Sequence, residues 1–434
     1  MPPIRSTIDY LYGLEKFGMK LGLYNIRVLL KSLGDPQNKF RSIHIAGTNG
    51  KGSTSSMIAA VLSAAGYKVG LYTSPHLVRF NERIRINGRM ISDADLVRYT
   101  VLLRPKIDAL RATFFEATTA IAFRYFADRK VDIGVIETGL GGRLDATNVL
   151  VPSVSVVTTI GKDHVEHLGH TIRQIAFEKG GIIKPGVPCV VGVRNPIALR
   201  ELRSIAKRRH SQFIEVGRPK EVPLPRPTQT SSTPAIQTPK RSYRDLKLPL
   251  AGEFQLQNAA VALTVLEQLA ASGISIQRGA IKKGFSNIHS LTGIRGRFET
   301  LRSRPRIILD VGHNVDGISA TVATIKRLNF RKLSIVFGVM KDKDVRGMVR
   351  ALSVLKPRAF AFRPLMERAM PPDKIVKLFH EMRCAARAFP DATSALGNAL
   401  RSLRSDDVLL ICGSHYVAGE VLRVMEGELV PKSS

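Results

Sequence analysis

The sequence predicts an α/β protein: an N-terminal domain with a mostly parallel sheet, followed by a smaller Rossmann-like α/β domain. Between residues 40 and 193, apolar segments of strand length alternate with segments of helical periodicity. This alternation is typical of a parallel sheet with right-handed crossovers. It stops before residue 292 and then starts again with a second set of strands. The chain of 434 residues is long enough for two or three domains with cores of their own.

The first elements are helices, followed by a βαβ unit. In residues 1–35, apolar side chains recur at helical spacing. The βαβ unit is formed by FRSIHIA, the helix STSSMIAAVLSAAG and the strand YKVGLYTS. Further strands of the same sheet are predicted at VDIGVIE, SVSVVTTI and VPCVVGV.

Composition changes at about residues 217–247, which are rich in Pro, Thr and Ser and poor in large apolar residues. Such a segment is expected to be a surface insert rather than part of a core. A helix is predicted after it, over FQLQNAAVALTVLEQLAASG.

We predict a domain boundary at TGIRGR, residues 292–297, where two glycines lie among polar and basic residues. The domains are then 1–295, including the insert, and 296–434. The second domain is expected to contain the strands RIILDVG, LSIVFGVM, RAFAFRP and DDVLLICGS.

The formal net charge of +31 has two interpretations: a nucleic-acid partner, or a basic chain with a polyanionic small substrate. Basic residues are spread along the chain without interleaved aromatic residues, so we favour the second interpretation, a polyanionic small substrate, and expect no nucleic-acid partner.

No apolar run is long enough to span a bilayer, and the N-terminus does not read as a signal peptide. Cys189, Cys384 and Cys412 have no metal-binding spacing and predict free thiols in a reducing cytoplasm.

The strongest chemical signal is HIAGTNGKGST, a buried strand followed by a glycine-rich turn and a helix. Main-chain N–H groups in such a turn close around phosphate oxygens. A lysine here reaches the terminal phosphates, and a hydroxyl can bind Mg²⁺. This indicates a P-loop ATPase domain, although a glycine separates the lysine from the serine, unlike in the common Walker pattern. The predicted ATP-binding residues are Gly47, Thr48, Asn49, Gly50, Lys51, Gly52 and Ser53.

Two further strands end in polar residues. VDIGVIE delivers Glu137, a candidate Mg²⁺ ligand, and the glycine-rich GLGGRLDATN after it suggests close approach to a ligand. SVSVVTTI leads to His164, His167 and His170, which could suggest zinc. Their spacing is that of a loop, and no acidic or cysteine partners complete a tetrahedral site. Thr171 is predicted to begin the next helix, with a capping box.

These motifs together resemble the Mur ligase superfamily, and within it the folylpolyglutamate synthase and dihydrofolate synthase branch. The resemblance covers nearly the whole chain in family order: GTNGKGS, TSPHLVRFNERIRING, VIETGLGGRLDATN, TTIGKDHVEHLG with EKGGIIKPG, LAGEFQLQNAA, and LDVGHN with GSHYVAGE. It implies an ATP-dependent ligase that adds L-glutamate to folates, and to dihydropteroate, through an acyl phosphate. The expected cofactors are ATP and two Mg²⁺ ions, and the expected state is a monomer.

The resemblance also implies roles for individual residues. Lys179 would be carbamylated by CO₂, and Lys51 and His313 would join it as catalytic residues. The metal ligands would be Ser53, Ser74, Glu137 and His164. Further contacts with the nucleotide would come from Asn258, Arg297 and Asp310. Pterin contacts are expected at Thr113, Phe114, Phe115, Glu116, Leu144, Asp145 and Ala146, and glutamate contacts at Ser414 and Tyr416. Residues 113–116 could equally be the apolar start of a helix.

Three alternatives stay open at this point. Another Mur-type amino-acid ligase would typically carry an additional N-terminal uridine-nucleotide domain, for which the position of Gly47 leaves no room. The charge also fits a nucleic-acid-linked P-loop ATPase. A catalytically inactive binding protein would be expected to lack Lys51, Glu137 or His164, and all three are present. The choice between dihydropteroate and reduced folates as acceptor is not decided by the sequence.

Overall fold

The computed structural model describes residues 2–18, 22–217 and 235–427 of the chain. These residues form two large, mostly parallel sheets, one before and one after residue 296. The predicted α/β fold, with a parallel-dominated N-terminal sheet and a separate C-terminal α/β domain, is confirmed. The division at residue 296 stays a prediction, supported by the separation of the sheets.

The larger sheet has eight strands in the order β4-β3-β2-β5-β1-β6-β7-β8. Only the pairs β2–β3 and β3–β4 are antiparallel. Since β5 and β6 flank the central strand β1, the loops that follow these three strands lie together at one edge. The strands are β1 (Arg41–Ala46), β2 (Val69–Tyr72), β3 (Ile84–Ile86), β4 (Arg89–Met90), β5 (Ile133–Glu137), β6 (Val154–Val157), β7 (Cys189–Val191) and β8 (Phe213–Glu215).

Helices cover both faces of this sheet. Every residue from Gly52 to Leu62 in α3 is buried, which explains why its sequence is apolar or small all round. The helices are α1 (Ile4–Gly13), α2 (Tyr24–Ser32), α3 (Lys51–Ala64), α4 (Asp93–Leu110), α5 (Phe114–Asp128), α6 (Val165–Leu168), α7 (Ile172–Gly180), α8 (Pro196–Arg208), α9 (Glu253–Ala271), α10 (Arg278–Ser286) and α11 (Ile288–Thr292).

The expectation that residues 217–247 lie outside the core is wrong for their described part. A short hairpin, β9 (Ile236–Gln237) and β10 (Ser242–Tyr243), packs on the main core through Ile236 and Tyr243, which are 1% and 9% exposed. The Tyr243 hydroxyl donates to the buried carboxylate of Glu267 in α9 at 3.0 Å. Leu246, which is 2% exposed, belongs to the same cluster, so a few large side chains anchor this otherwise polar segment. Residues 218–234 of the predicted insert lie outside the described residues.

The second sheet has the order β11-β12-β16-β13-β14-β15, and only its first pair is antiparallel. Its antiparallel edge strand β11 was not predicted from the sequence. Separate apolar clusters cover its two faces. Its elements are β11 (Glu299–Ser303), β12 (Arg306–Leu309), β13 (Leu333–Phe337), β14 (Arg358–Phe362), β15 (Ala386–Phe389) and β16 (Val408–Cys412), with α12 (Val315–Ile325), α13 (Val345–Ser353), α14 (Pro372–Glu381), α15 (Ala392–Arg401) and α16 (His415–Met425).

Among the helices of the described ranges, none is long and apolar enough to cross a membrane.

Candidate active site

A cavity of about 1520 Å³ is lined by loops from both sheets. Every residue predicted to bind ATP, metal, pterin or glutamate lines this one cavity, and so do the predicted catalytic residues. Their roles stay predictions, but their convergence from segments as distant as residues 47 and 416 is a structural finding.

The glycine-rich loop follows β1, and α3 begins at Lys51. Gly50 has φ of 86°, and a Cβ on it would overlap the Asn258 side chain, so no other residue fits here without strain. The hydroxyl of Thr159, after β6, accepts from the N–H of Asn49 at 2.9 Å and fixes the loop. The Lys51 Nζ folds back to donate to the carbonyl of Gly47 at 3.1 Å. The loop therefore leaves the N-terminus of a buried helix facing the cavity, as a phosphate site requires.

Glu137 ends β5 next to this loop. It is 3% exposed, and its Oε2 has no hydrogen-bond partner among the described residues. Burial raises its pKa, while the charges of Lys51 and Arg297 act in the opposite direction. Lys51 Nζ is 3.9 Å from Oε1. A buried carboxylate oxygen with an open lone pair beside a phosphate loop fits a divalent cation.

The remaining ligands of such a cation would not all come from the protein. Within the described ranges, no group of three or more His, Cys, Asp or Glu side chains could hold a metal ion by itself. Mg²⁺ is usually bound by one or two protein ligands together with phosphate oxygens and water. Glu137 and the buried Ser53 fit that arrangement, whereas the three histidines do not form a zinc site.

His164 lies at the N-terminus of α6 with φ of 49°. Burial lowers its pKa to about 4, so the neutral ring accepts a hydrogen bond at Nε2 from Lys343 Nζ, 3.3 Å away. Lys343 must release this nitrogen if His164 is to bind a metal, as the resemblance implies.

Asp163 connects the two domains, and sequence reasoning missed it. Its carboxylate lies 2.6 Å from Lys343 Nζ, accepts from Asn314 Nδ2 at 3.1 Å, and is 3.4 Å from His313 Nε2. Although burial opposes it, the hydrogen bond from His313 and the charges of His164 and Lys343 hold the pKa of Asp163 well below its usual range. The polar run KDKD, which begins four residues after the end of the buried strand β13, was a signal for Lys343.

Lys179, on α7, is 4% exposed, and its Nζ donates to the carbonyl of Gly47 at 3.0 Å. Burial, reinforced by the charge of Lys51, lowers its pKa to about 7. The capping box of Thr171 and Gln174 that begins this helix was predicted and is present.

The predicted pterin residues form the apolar end of the cavity. Thr113 caps α5 in a capping box with Glu116, whose carboxylate accepts from the Thr113 N–H at 2.8 Å. The sequence T-F-F-E carries the signal for this capping box, and both readings of the segment hold in part: it begins a helix and it lines the cavity. Asp145 accepts from two main-chain N–H groups and is buried. Phe114 and Phe115 supply flat apolar surface between these polar caps.

Several of the C-terminal residues have structural partners of their own. Asp310 accepts from the N–H groups of Phe298 and Gly312 and from the Thr321 hydroxyl, so it holds the turn after β12. Ser414 caps α16 through its hydroxyl. Nucleotide or glutamate contacts for these residues therefore stay predictions.

Arg297 and Asn258 face the phosphate loop. The Arg297 guanidinium is buried, its Nε has no partner among the described residues, and a Cβ on Gly52 would lie 2.9 Å from its Nη2. Asn258 donates to Gln255 at 2.9 Å while its Oδ1 faces Gly50. His415 also lines the cavity, and its ring centre lies 5.1 Å from that of His313. It was not predicted as a site residue, because nothing in the sequence distinguishes it from a residue at the start of a helix.

Two families match the chain: the Mur ligase middle domain over residues 45–266, and the Mur ligase glutamate ligase domain over residues 296–415. A dihydrofolate synthase/folylpolyglutamate synthase of Bacillus subtilis is 39% identical, covering 80% of this chain and 82% of the relative. A folylpolyglutamate synthase of Lacticaseibacillus casei is 34% identical over 97% of this chain and 98% of the relative.

Solved structures agree with this assignment. E. coli FolC in complex with DHPP and ADP has a TM-score of 0.85 and 28% identity, covering 99% of both chains. The bifunctional folylpolyglutamate synthase/dihydrofolate synthase of Yersinia pestis, complexed with AMPPNP and a Mn ion, has a TM-score of 0.85 and 29% identity, covering 98% of both chains. The chain therefore belongs to the folylpolyglutamate synthase/dihydrofolate synthase family of Mur ligases.

Proposed function

We propose that this protein is an ATP-dependent ligase that joins L-glutamate to the carboxylate of a folate-type acceptor, either a reduced folate or dihydropteroate. The observation that carries the proposal is the single cavity in which a phosphate loop, an open buried carboxylate and an aromatic pocket meet. A carboxylate–amine ligase needs these three parts next to one another, because the acceptor acid must reach the terminal phosphate of the nucleotide.

The reaction consists of two displacements. A carboxylate oxygen of the acceptor attacks the γ-phosphorus, and the bond from that phosphorus to the oxygen of ADP breaks. The amino group of glutamate then attacks the acyl carbon and phosphate leaves, with loss of one proton from the amine. Lys51, on the phosphate loop, and Arg297, beside Gly52, supply positive charge where the transferred phosphoryl group carries negative charge.

Glu137 and Ser53 are the residues best placed to hold a divalent cation, with Ser74 and His164 as proposed further ligands. Mg²⁺ bound there neutralises phosphate charge during transfer. The main chain of Ser74 favours the ionised form of Glu137 and acts against the rise of its pKa by burial.

We also propose that Lys179 reacts with CO₂, as the resemblance implies. Its amine would form a carbamate with loss of a proton, so that a cation becomes an anion with two oxygens. The burial and lowered pKa of Lys179 favour this, since the neutral amine is the reactive form. An anion there would also relieve the repulsion from Lys51.

The interface between the domains can keep water from the acyl phosphate. Asp163 lies on the first domain and Lys343 on the second, and their contact closes one side of the cavity. Excluding water matters because hydrolysis of the acyl phosphate would waste ATP. We place the enzyme in the cytoplasm as a monomer without a nucleic-acid partner; its three cysteines are free and buried.

The proposal is tested by measuring ADP release with dihydropteroate or tetrahydrofolate, each with and without glutamate. We expect ATP hydrolysis to require the acceptor and to be stimulated by glutamate. Nucleic acid is the matched control, and duplex binding should be weak and steeply salt-dependent. Stimulation by DNA or RNA, with none by folate and glutamate, would overturn the proposal in favour of a nucleic-acid-linked ATPase.

A further inference from the structure

Arg83 is a buried cation of the cavity that forms no ion pair with an acidic residue in the described ranges. Arg83, at the end of the 3₁₀ turn Phe80–Arg83, is 8% exposed and lines the cavity. Of the described carboxylates, Glu15 and Glu137 interact with its charge from a distance, but none forms an ion pair with it. A buried guanidinium without an anion is unfavourable, so a site that retains one is suited to a ligand that brings the anion.

The side chain of Arg83 is held in one orientation. Its Nε donates to Nδ1 of His76 at 2.8 Å, which leaves the proton of the neutral His76 ring on Nε2, 3.0 Å from the Tyr12 hydroxyl. The guanidinium carbon lies 5.1 Å from the ring centre of Phe114 and 5.9 Å from that of Phe80. Because Nε alone is used, the two terminal nitrogens stay available as a fork, the geometry that binds a carboxylate in a bidentate manner.

Arg83 also lies between the two ends of the cavity. On one side it contacts Phe114, part of the aromatic pocket proposed for the acceptor. On the other side its charge acts on Glu137, next to the phosphate loop. An aromatic acid whose ring lies against Phe114 would thus extend its carboxylate towards Arg83, with the phosphate loop beyond it.

We propose that Arg83 binds the carboxylate of the acceptor that becomes phosphorylated, through its two terminal nitrogens. It is a substrate-binding residue that orients the nucleophile and compensates its charge as water is removed. This assignment rests on the proposed function, and nothing in the family resemblance assigned a role to Arg83. The ligand class is an aryl carboxylate, or the corresponding side-chain carboxylate of a glutamylated folate.

The test compares two ligands that differ only in this group: dihydropteroate and its carboxamide. Dissociation constants are measured by titration calorimetry for the full-length wild type and for Arg83→Gln. We expect Arg83→Gln to weaken dihydropteroate binding about 10- to 100-fold, as for loss of a hydrogen bond to a charged group. Binding of the carboxamide should change by less than about twofold, and the KM for ATP should not change.

Arg85→Gln is the matched control. Arg85 lies two residues away on β3, donates to the carbonyl of Gly88 at 3.0 Å, and does not line the cavity. Its variant removes the same charge and should bind both ligands as the wild type does. Thermal unfolding identifies a variant that does not fold; in that case Arg83→Lys, which keeps the charge but lacks the fork, is compared with the same two ligands.

Equal losses for the acid and the carboxamide in the Arg83 variants would overturn the inference and make the role structural. Unchanged binding of the acid would overturn it as well. Both outcomes differ from a failure of the proposed function, in which the wild type itself would show no acceptor-dependent ATP hydrolysis.

Discussion

The amine of Lys179 lies 3.0 Å from the main-chain carbonyl of Gly47, the residue that opens the phosphate loop. Lys51 donates to the same carbonyl from 3.1 Å. Two lysines thus converge on one oxygen just after the end of β1. Among the described residues, Lys51 lies at ion-pair distance from a carboxylate, that of Glu137, whereas Lys179 has no such partner. Burial, reinforced by the charge of Lys51, lowers the pKa of Lys179 to about 7.

Replacing Lys179 with Ala should nearly abolish ligase activity, because the proposed carbamate would be lost. Short-chain carboxylates added to this variant should restore part of the activity by occupying the same place. Lys184→Ala is the control: burial lowers the pKa of Lys184 to about 8, but it donates to the carbonyl of Asn148 and does not line the cavity. Wild-type turnover in Lys179→Ala would show that Lys179 is only structural.

Lys179 should also make stability depend on pH. Its pKa is about 7 in the folded protein and 10.5 in the unfolded chain, so between these values the unfolded chain binds the additional proton. The stability of the wild type, relative to Lys179→Met, should therefore rise from about pH 7 to pH 10, with a slope approaching about 1.4 kcal/mol per pH unit. The measurement is urea unfolding in CO₂-free, metal-free buffer. A difference that does not vary with pH would mean that the amine is not perturbed.

Lys51→Ala should lower kcat on the order of 10²-fold or more, since the variant loses a positive charge at the phosphate that is transferred. The fold should be retained, because the Lys51 side chain contacts mainly its own loop. Steady-state kinetics and a thermal melt on the same sample separate the two effects. A near-normal kcat would place the phosphates elsewhere.

Most of this fold could be predicted because its strands are buried on both faces and therefore read as continuous apolar runs. β1, β5 and β16 are of this kind. The strands that were missed, such as β11 and β15, lie at sheet edges and contain no fully buried residue, so their sequences lack the apolar run that marks a central strand.

The residues of the site could likewise be predicted only where the local sequence carries a signal. Residues within glycine-rich motifs, such as Lys51 and Glu137, could be found because the motif itself implies a turn at a strand end. Asp163 and Lys343 are identified by their contact with each other, and Arg83 by its contact with Phe114, and a single sequence does not show contacts between such distant segments. The prediction that the segment around Ile236 lies outside the core was wrong because the average composition of a segment does not show that one or two of its side chains are buried.

Ile236→Ala should destabilise the protein by about 2–5 kcal/mol, as for other large-to-small changes in a core. Ile236 is 1% exposed and packs in the main apolar cluster. Val151, which is 76% exposed, provides the control, and Val151→Ala should change stability by less than about 0.5 kcal/mol. Chemical unfolding measures both. Equal effects would show that the hairpin does not contribute to the core.

The central claim is that the acceptor carboxylate itself attacks the γ-phosphate. Dihydropteroate labelled with oxygen-18 in both carboxylate oxygens is converted with ATP and glutamate, and the released phosphate is analysed by mass spectrometry. The account predicts one oxygen-18 atom in each phosphate formed, because the acyl–oxygen bond breaks when the amine attacks. Unlabelled phosphate, released at the same rate as the amide product, would contradict the acyl-phosphate mechanism.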